Sequence, residues 1–191
     1  MKSSFRNFLS QFDLLTESEI EEMVRIASPR HLNRGDYLIQ AGMVCQEVAF
    51  VVSGVVRSYY HTLSGEEVTY CFRFQDGFLA AYSSFISQKP TSEYLQAISP
   101  TELLVISKSE IHRLENSSVN FLRFFKFMAE QEFIAMEARI FQLQQKSSES
   151  RYRDLIENHP EYLHLIPLNH LASYIGVTQR HLSRIRGSIR N

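Results

Sequence analysis

The residues with the clearest chemical potential in this sequence are four arginines near its end. They are Arg180, Arg184, Arg186 and Arg190, and no aspartate or glutamate lies between Tyr162 and Asn191. This segment therefore carries a formal charge of +4, although the whole chain is at −1. A basic face on a mildly acidic protein indicates a polyanionic partner for that face, and nucleic acid is the first candidate. Charge alone also fits a solvated basic helix.

Two short helices are predicted to position these arginines. In the stretch PLNHLASYIGVTQRHLSRIRGSI, apolar residues follow helical spacing up to Ile175, and Gly176 can adopt the positive φ of a tight turn. Thr178 is a good N-cap for a second helix. Its predicted inward face is Leu182, Ile185 and Ile189, and its predicted outward face is Gln179, Arg180, His181, Ser183, Arg184 and Arg186.

This pattern predicts a DNA-binding helix-turn-helix. A helix fits the major groove, where arginine pairs with guanine and glutamine with adenine. An ordinary helical hairpin would have the same apolar spacing, but it would not explain an outer face without acids. On this pattern, the residues predicted to bind DNA are Gln179, Arg180, His181, Arg184 and Arg186.

Other reactive side chains do not form a recognisable catalytic or metal-binding motif. Cys45 and Cys71 have no CxxC partner, so we expect two buried, reduced thiols, with a redox role as the alternative. His159, His164 and His170 lack the spacing of a metal site. We therefore predict no catalytic residue, no metal and no cofactor, and we expect the protein not to be an enzyme.

Upstream, glycine-containing turns recur every 7 to 12 residues from Gly35 to Gly77, with strand-like stretches such as EVAFVVSG between them. That rhythm predicts an antiparallel β sandwich or roll. Short amphipathic helices are predicted before it, up to residue 27, with a capping box at Thr16 or Ser18. We expect one further strand, within SEYLQAISPTELLVISK, to close the roll.

A long helix is predicted from residue 118 to 147. Apolar residues at alternating spacings of three and four form one stripe along it: Leu122, Phe125, Ala129, Phe133, Met136, Ile140 and Leu143. Further apolar residues, Phe121, Phe124, Phe127, Met128 and Phe141, widen this surface. We expect one face to pack on the β roll and the other on a second copy of the helix, giving a homodimer. Burial of both faces within one chain is the alternative.

These elements predict an α+β chain in three parts: a sensor domain at 1–117, a dimerisation helix and hinge at 118–147, and a DNA-binding domain at 148–191. No apolar run approaches the roughly 20 residues of a membrane span, and the N-terminal residues do not resemble a signal peptide. We therefore expect a cytoplasmic protein with no membrane partner.

The order of these parts resembles the Crp/Fnr family of bacterial transcription regulators. The resemblance covers essentially the full length and is most specific at Gly35, Gly42 and Gly54 and in the motif from Leu171-Ala172 through Gly176-Val177-Thr178 to Leu182-Ser183-Arg184. It implies a cyclic-nucleotide-binding-like β roll, a dimer formed through the long helix, and double-stranded DNA as a partner. Gln179, Arg180 and Arg184 match positions that contact bases, and Thr178 matches a phosphate contact. RNA polymerase is a candidate partner.

The sequence departs from the family pattern at the ligand site. Members that bind cyclic AMP carry a Gly-Glu pair and, about ten residues later, an Arg-Ser or Arg-Thr pair. An alignment without gaps places Ala80-Ala81 and Thr91-Ser92 there, so both charged groups are missing. A phosphate without its arginine loses a strong charge-assisted bond, so we do not expect cyclic AMP to bind. Another effector, in a candidate pocket lined by Ser83, Ser84, Thr91 and Ser92, and no effector both remain open.

A second departure lies after the recognition helix. Many relatives continue there with a β-hairpin wing, whereas Gly187 to Asn191 are the residues that follow it in this sequence. We therefore expect little or no wing, with Arg186 and Arg190 as candidates for its phosphate contacts.

Two other functions fit parts of the sequence. A ligand-binding or scaffolding β-roll module would lack specific DNA binding. A β-roll enzyme would need a metal cluster or an activated nucleophile, and neither pattern is found in the sequence.

Overall fold

The computed structural model describes residues 1–190, except for the side chain of Arg190. The chain forms an α+β fold, which confirms the predicted class. Its helices are α1 Lys2–Leu9, α2 Glu17–Ile26, α3 Tyr82–Ser87, α4 Lys108–Ser117, α5 Val119–Gln145, α6 Ser148–Asn158, α7 Tyr162–Leu165, α8 Leu168–Ile175 and α9 Gln179–Arg190. Its strands are β1 Ser28–Leu32, β2 Tyr37–Ile39, β3 Glu47–Ser53, β4 Val56–His61, β5 Glu67–Arg73, β6 Phe78–Leu79, β7 Glu93–Ala97 and β8 Thr101–Ser107.

The strands form two four-stranded sheets that together make the predicted β roll. One sheet has the order β1-β8-β3-β6 and the other has the order β2-β7-β4-β5. Strand β8 pairs antiparallel with both β1 and β3, and Val105 lies opposite Ser28 on one side and Ala49 on the other. This central strand has a continuous buried run from Leu103 to Ile106, as expected where both faces are covered.

The predicted closing strand is in fact two strands. Strand β7 belongs to one sheet and β8 to the other, and Ile98 to Pro100 connect them. Pro100 cannot donate a backbone hydrogen bond to a sheet, which favours a break at this point. The Ser99 hydroxyl also accepts a hydrogen bond from the Val55 amide at 3.0 Å, so the connection is tied to the β3–β4 turn.

The N-terminal helices form part of the core of the roll. The Thr16 side chain accepts from the Glu19 amide, and the Glu19 carboxylate accepts from the Thr16 amide, so the capping box is confirmed at Thr16. Helix α1 buries Phe5 against strand β3, where its ring lies 4.8 Å from that of Phe50. Phe5 therefore belongs to the hydrophobic core, and Phe8 and Phe12 pack against that core while partly exposed.

Helix α5 occupies the segment predicted as a long helix. Phe121 and Phe124 are fully buried in the core, and Phe125 and Met128 pack partly against it. Further along the helix, the large apolar residues of both predicted sets are exposed in the single chain: Phe133, Met136, Ile140, Phe141 and Leu143, with Ile134 beside them. Burial thus changes along the length of the helix as well as around its axis.

The described residues divide into two compact units. The first comprises Met1–Ser58 and Phe72–Glu130, and the second comprises Tyr59–Cys71 and the residues from Gln131 onward. The hairpin at residues 59–71 therefore groups with the C-terminal helices, whereas the sequence assigns it to the sensor domain. The division at residues 117 and 147 remains a prediction. None of the described helices combines the length and hydropathy needed to cross a lipid bilayer.

Candidate nucleic-acid interface

The turn between α8 and α9 is built by Gly176. Its φ is +80°, the left-handed conformation that glycine adopts at little cost. The Val177 amide donates to the Ala172 carbonyl at 3.0 Å, and the Gly176 amide donates to the Ser173 carbonyl at 3.1 Å. These two bonds form a Schellman motif, which closes α8 and redirects the chain into α9.

Helix α9 begins immediately after Thr178, as predicted. The Thr178 hydroxyl accepts a hydrogen bond from the His181 amide at 3.3 Å, which is the geometry of an N-cap. Leu182 is fully buried and Ile185 is nearly so, whereas Ile189 is half-buried. Since α8 contacts α6, α7 and α9, the buried side of α9 is held by a small domain of several helices.

The outer face of α9 carries most of the residues predicted to bind DNA. Gln179, Arg180, His181 and Arg184 are exposed, as is Thr178 at the start of the helix. At 100° per residue, Arg180 and Arg184 lie on the same side of the helix, opposite Leu182 and Ile185. These two guanidinium groups therefore project together from the middle of the exposed face.

No carboxylate neutralises this face within the part of the chain that the structure describes. None of the ion pairs in that part involves Arg180, Arg184 or Arg186, although arginines elsewhere in the chain do pair with acids, such as Arg113 with Glu22 at 2.7 Å. Arg186 differs from the other two because it is half-buried next to the inward side of α9. It is therefore placed at the border of the basic face.

The segment expected to follow the predicted recognition helix is part of α9. Helix α9 continues to Arg190, so Gly187 and Ser188 belong to its last turns. The Ser188 hydroxyl donates to the Ile185 carbonyl at 2.9 Å. The side chain of Arg190, a predicted phosphate contact, lies outside the described residues.

One residue that the sequence analysis did not single out anchors α8. The Ser173 hydroxyl accepts a hydrogen bond from the Thr69 amide at 2.9 Å and donates to the Glu67 carbonyl at 2.8 Å. Both partners are backbone groups of β5. A contact spanning about a hundred residues has no local sequence signal, so spacing and propensity could not have predicted it.

The four side chains of the predicted effector pocket fall into two kinds. Ser84 and Thr91 are buried, whereas Ser83 and Ser92 are exposed. The Ser84 hydroxyl accepts from the Cys45 amide at 3.0 Å and donates to the Lys89 carbonyl at 2.5 Å. The Thr91 hydroxyl accepts from the Glu93 amide at 3.0 Å. The buried hydroxyls therefore already bond to nearby backbone, and a ligand role for these four residues stays a prediction.

The two cysteines differ in their exposure to solvent. Cys45 is buried, and this burial raises the pKa of its thiol, which makes it a poor nucleophile. Cys71 is half-buried. Among the described residues, no three histidine, cysteine, aspartate or glutamate side chains are grouped closely enough to hold a metal ion.

Comparison with known proteins gives a family match that covers the strands of the roll. Residues 29–118 match the family model of the cyclic nucleotide-binding domain. These residues contain all eight strands of the roll except the first position of β1. No curated protein gives a significant sequence match to the chain.

Solved structures match over most of the length of the chain. FixK2 from Bradyrhizobium japonicum superposes with a TM-score of 0.76 at 17% identity, covering 86% of this chain and 85% of FixK2. The c-di-GMP responsive global regulator CLP of Xanthomonas campestris gives a TM-score of 0.69 at 16% identity and covers 90% of each chain. The catabolite activator protein of Thermus thermophilus gives 0.59 at 17% identity, over 92% of this chain and 84% of that one.

Proposed function

We propose that this protein is a DNA-binding transcription regulator of the Crp/Fnr type, with α9 as its recognition helix. The observation that carries this proposal is the exposed basic face of α9, on which Arg180 and Arg184 form no ion pair with any described carboxylate. The same α9 follows a Gly176 turn and a Thr178 cap, the usual construction of a helix-turn-helix. Similar folds in FixK2, CLP and the catabolite activator protein support the proposal.

The residues of α9 are assigned separate roles within this proposal. Gln179, Arg180 and Arg184 read base edges in the major groove, where bidentate contacts distinguish guanine and adenine. Thr178 and Arg186 contact phosphate, because they lie at the start of the helix and at the border of its basic face. His181 is a further contact on the exposed side.

The proposal includes a homodimer formed through α5. The exposed apolar residues in the second half of this helix give it a surface for a second copy of the chain. Two recognition helices related by a two-fold axis would read a pseudo-palindrome with half-sites about 34–36 Å apart. The proposal also includes a contact with RNA polymerase, to which no residues of the chain are assigned.

Selection of bound sequences from a random DNA pool, with the full-length protein, tests the proposal. We expect a palindromic consensus. Arg184→Ala should then weaken binding to that site by about 1–3 kcal/mol and relax the preference at one base position. The matched control is Arg25→Ala, which removes an exposed arginine on α2 and should leave affinity unchanged.

Salt dependence separates base contacts from phosphate contacts. If Arg184 contacts phosphate instead, its loss should weaken all sequences equally and reduce the salt slope by about one. Failure of the wild-type protein to bind any DNA in the pool, with or without cell extract, would refute the proposal. That result would favour the ligand-binding or scaffolding module.

The effector of this regulator is proposed not to be cyclic AMP. Ala81 and Thr91 are both buried at the positions where the family's cyclic AMP site has a glutamate and an arginine. No charged side chain is therefore supplied there for the ribose hydroxyl or the cyclic phosphate. Calorimetric titration with cyclic AMP should give no binding heat, and a saturable heat would contradict this assignment.

A further inference from the structure

A polar cavity of about 210 Å³ lies within the second unit, where α5, α6 and the end of α8 meet. Its lining includes Arg139 and Gln142 of α5 and Arg151, Asp154 and Asn158 of α6, followed by His159. The cavity is smaller than the roughly 300–1,000 Å³ of pockets for drug-sized ligands, so it suits a compact molecule.

Two guanidinium groups in this cavity have no carboxylate partner. Asp154 is the acid in its lining, and this carboxylate already pairs with the Lys146 ammonium. Among the described residues, no ion pair involves Arg139 or Arg151. Burial lowers the pKa of Arg139, Tyr174 partly opposes this shift, and the nearby Arg151 charge adds to it. The cavity therefore concentrates positive charge that the described residues leave without a neutralising acid.

Arg139 also has an unused hydrogen-bond donor. Its Nη2 donates to the Tyr174 carbonyl, and its guanidinium carbon lies 3.9 Å from the centre of the Tyr174 ring. Its Nε is buried and has no hydrogen-bond partner among the described atoms. Buried donors are normally satisfied, and those of a charged group are the most costly to leave unpaired.

Arg151 differs from Arg139 because its donors are mostly engaged. Its Nε donates to the Ile175 carbonyl at 2.8 Å, and its Nη1 donates to the carbonyls of Lys146 and, at 3.4 Å, Leu143. Arg151 therefore joins the end of α5 to the end of α8 and adds mainly charge to the cavity, whereas Arg139 adds both charge and a donor.

We propose that this cavity is a binding site for a small organic anion, whose carboxylate or phosphate oxygen accepts a hydrogen bond from Arg139 Nε. The anion neutralises the two guanidinium groups, and the side-chain amide of Gln142 supplies a further donor. Because both arginines hold carbonyl groups at the end of α8, occupancy stabilises the connection between α5 and the helix-turn-helix. The lining residues given above belong to α5, α6 and α8 or directly follow α6, and the proposal does not depend on DNA binding.

The test uses thermal unfolding of the full-length protein with inorganic phosphate, acetate or chloride at constant ionic strength. We expect a saturable rise in Tm with phosphate, acetate or both, and no such rise with chloride. A response to phosphate alone assigns a phosphorylated ligand, and a response to acetate assigns a carboxylate ligand. Equal, non-saturating effects of all three anions would overturn the proposal.

Two variants connect the response to this cavity. Arg139→Gln should weaken the anion about tenfold or more, because a charge-assisted bond is lost. The matched control Arg123→Gln changes an exposed arginine on the same helix and should retain the response. An unchanged response in folded Arg139→Gln would place the anion elsewhere and reject the site.

Gln142→Glu keeps the proposal testable even if Arg139→Gln does not fold. This change places a carboxylate one helical turn from Arg139, so the chain supplies its own anion. We expect a higher Tm without added anion and loss of the anion response. A lower Tm together with an unchanged response would contradict the proposed site.

Discussion

At the scale of single residues, Gly54 is the glycine at which an added Cβ would meet the closest neighbouring atoms. Its φ is +93°, and a Cβ at this position would lie 2.5 Å from the Pro100 carbonyl oxygen and 2.7 Å from the Thr101 Cα. Backbone atoms cannot rotate away as a flexible side chain can. Gly42 has a similar φ of +88°, but a Cβ there would meet nothing within 4 Å.

The pair Gly54→Ala and Gly42→Ala separates backbone strain from steric overlap. Gly42→Ala should lower the free energy of unfolding by about 1–2 kcal/mol, the cost of a left-handed conformation. Gly54→Ala should lower it by about 3 kcal/mol or more, because overpacking adds to that cost. Chemical denaturation measures the free energy of unfolding of both variants. Equal decreases would show that the close approach to Pro100 does not destabilise Gly54→Ala.

The turn at Gly54 was predictable from the sequence, but its packing was not. Glycines at regular spacing between strand-like stretches indicate turns because glycine tolerates positive φ. The close approach to Pro100 and Thr101 depends on how β3, β4 and β8 meet in three dimensions. The break between β7 and β8 differs, because Pro100 is a local signal for it that the prediction of one closing strand does not use.

At the scale of elements, α9 was predictable and the surroundings of the predicted effector pocket were not. Every determinant of the α9 start lies within a few residues, from Gly176 through the Thr178 cap to the buried Leu182. The Ser84 hydroxyl, in contrast, accepts from the Cys45 amide, 39 residues earlier in the chain. Local patterns therefore predict where a helix begins. They do not predict which polar side chains form hydrogen bonds with distant parts of the same chain.

Glu19 connects two elements of the first unit, the start of α2 and the start of α5. Its carboxylate accepts from the Thr16 amide at 2.8 Å, from Asn120 Nδ2 at 3.1 Å and from the Ser118 hydroxyl. Burial acts to raise the pKa of Glu19, but the hydrogen bonds from Ser118, Thr16 and Asn120 outweigh it and lower the pKa below its ordinary value of 4.5.

This lowered pKa predicts a pH-dependent contribution to stability. Because the folded state holds the carboxylate ionised, the contribution is present above about pH 4.5 and is lost as the pH falls through the lower folded pKa. Glu19→Gln should therefore be less stable than wild type near neutral pH, and the difference should shrink in acid. Urea unfolding of both proteins at neutral pH and in acid measures this difference in stability. A difference that does not change with pH would contradict the assignment.

At the scale of the whole molecule, α5 presents more apolar surface than a lone chain would be expected to expose. Phe133 is 68% exposed, Ile134 57% and Ile140 49%. Contiguous exposed apolar patches usually mark an interaction site. The apolar stripe of α5 is predictable from the spacing of its residues. Its exposure beyond Glu130 depends on where the hydrophobic core of the first unit ends, and residue spacing does not reveal that point.

The proposed dimer predicts a specific effect of charge on this surface. Phe133→Asp should shift the protein from dimer to monomer in light scattering, because a buried carboxylate at the interface would lose its hydration. DNA affinity should fall with it, since two linked recognition helices are required. Leu63→Asp, in a fully exposed turn, is the control and should remain dimeric. A monomeric wild-type protein would refute this interface.

The contact between Ser173 and β5 covers part of a sheet edge. Strand β5 is at the edge of its sheet, and unpaired edges can recruit strands from other molecules. The Ser173 hydroxyl engages the Thr69 amide and the Glu67 carbonyl at this edge. We therefore expect a fragment shortened before α8 to expose these two backbone groups, on which strands of further copies can pair.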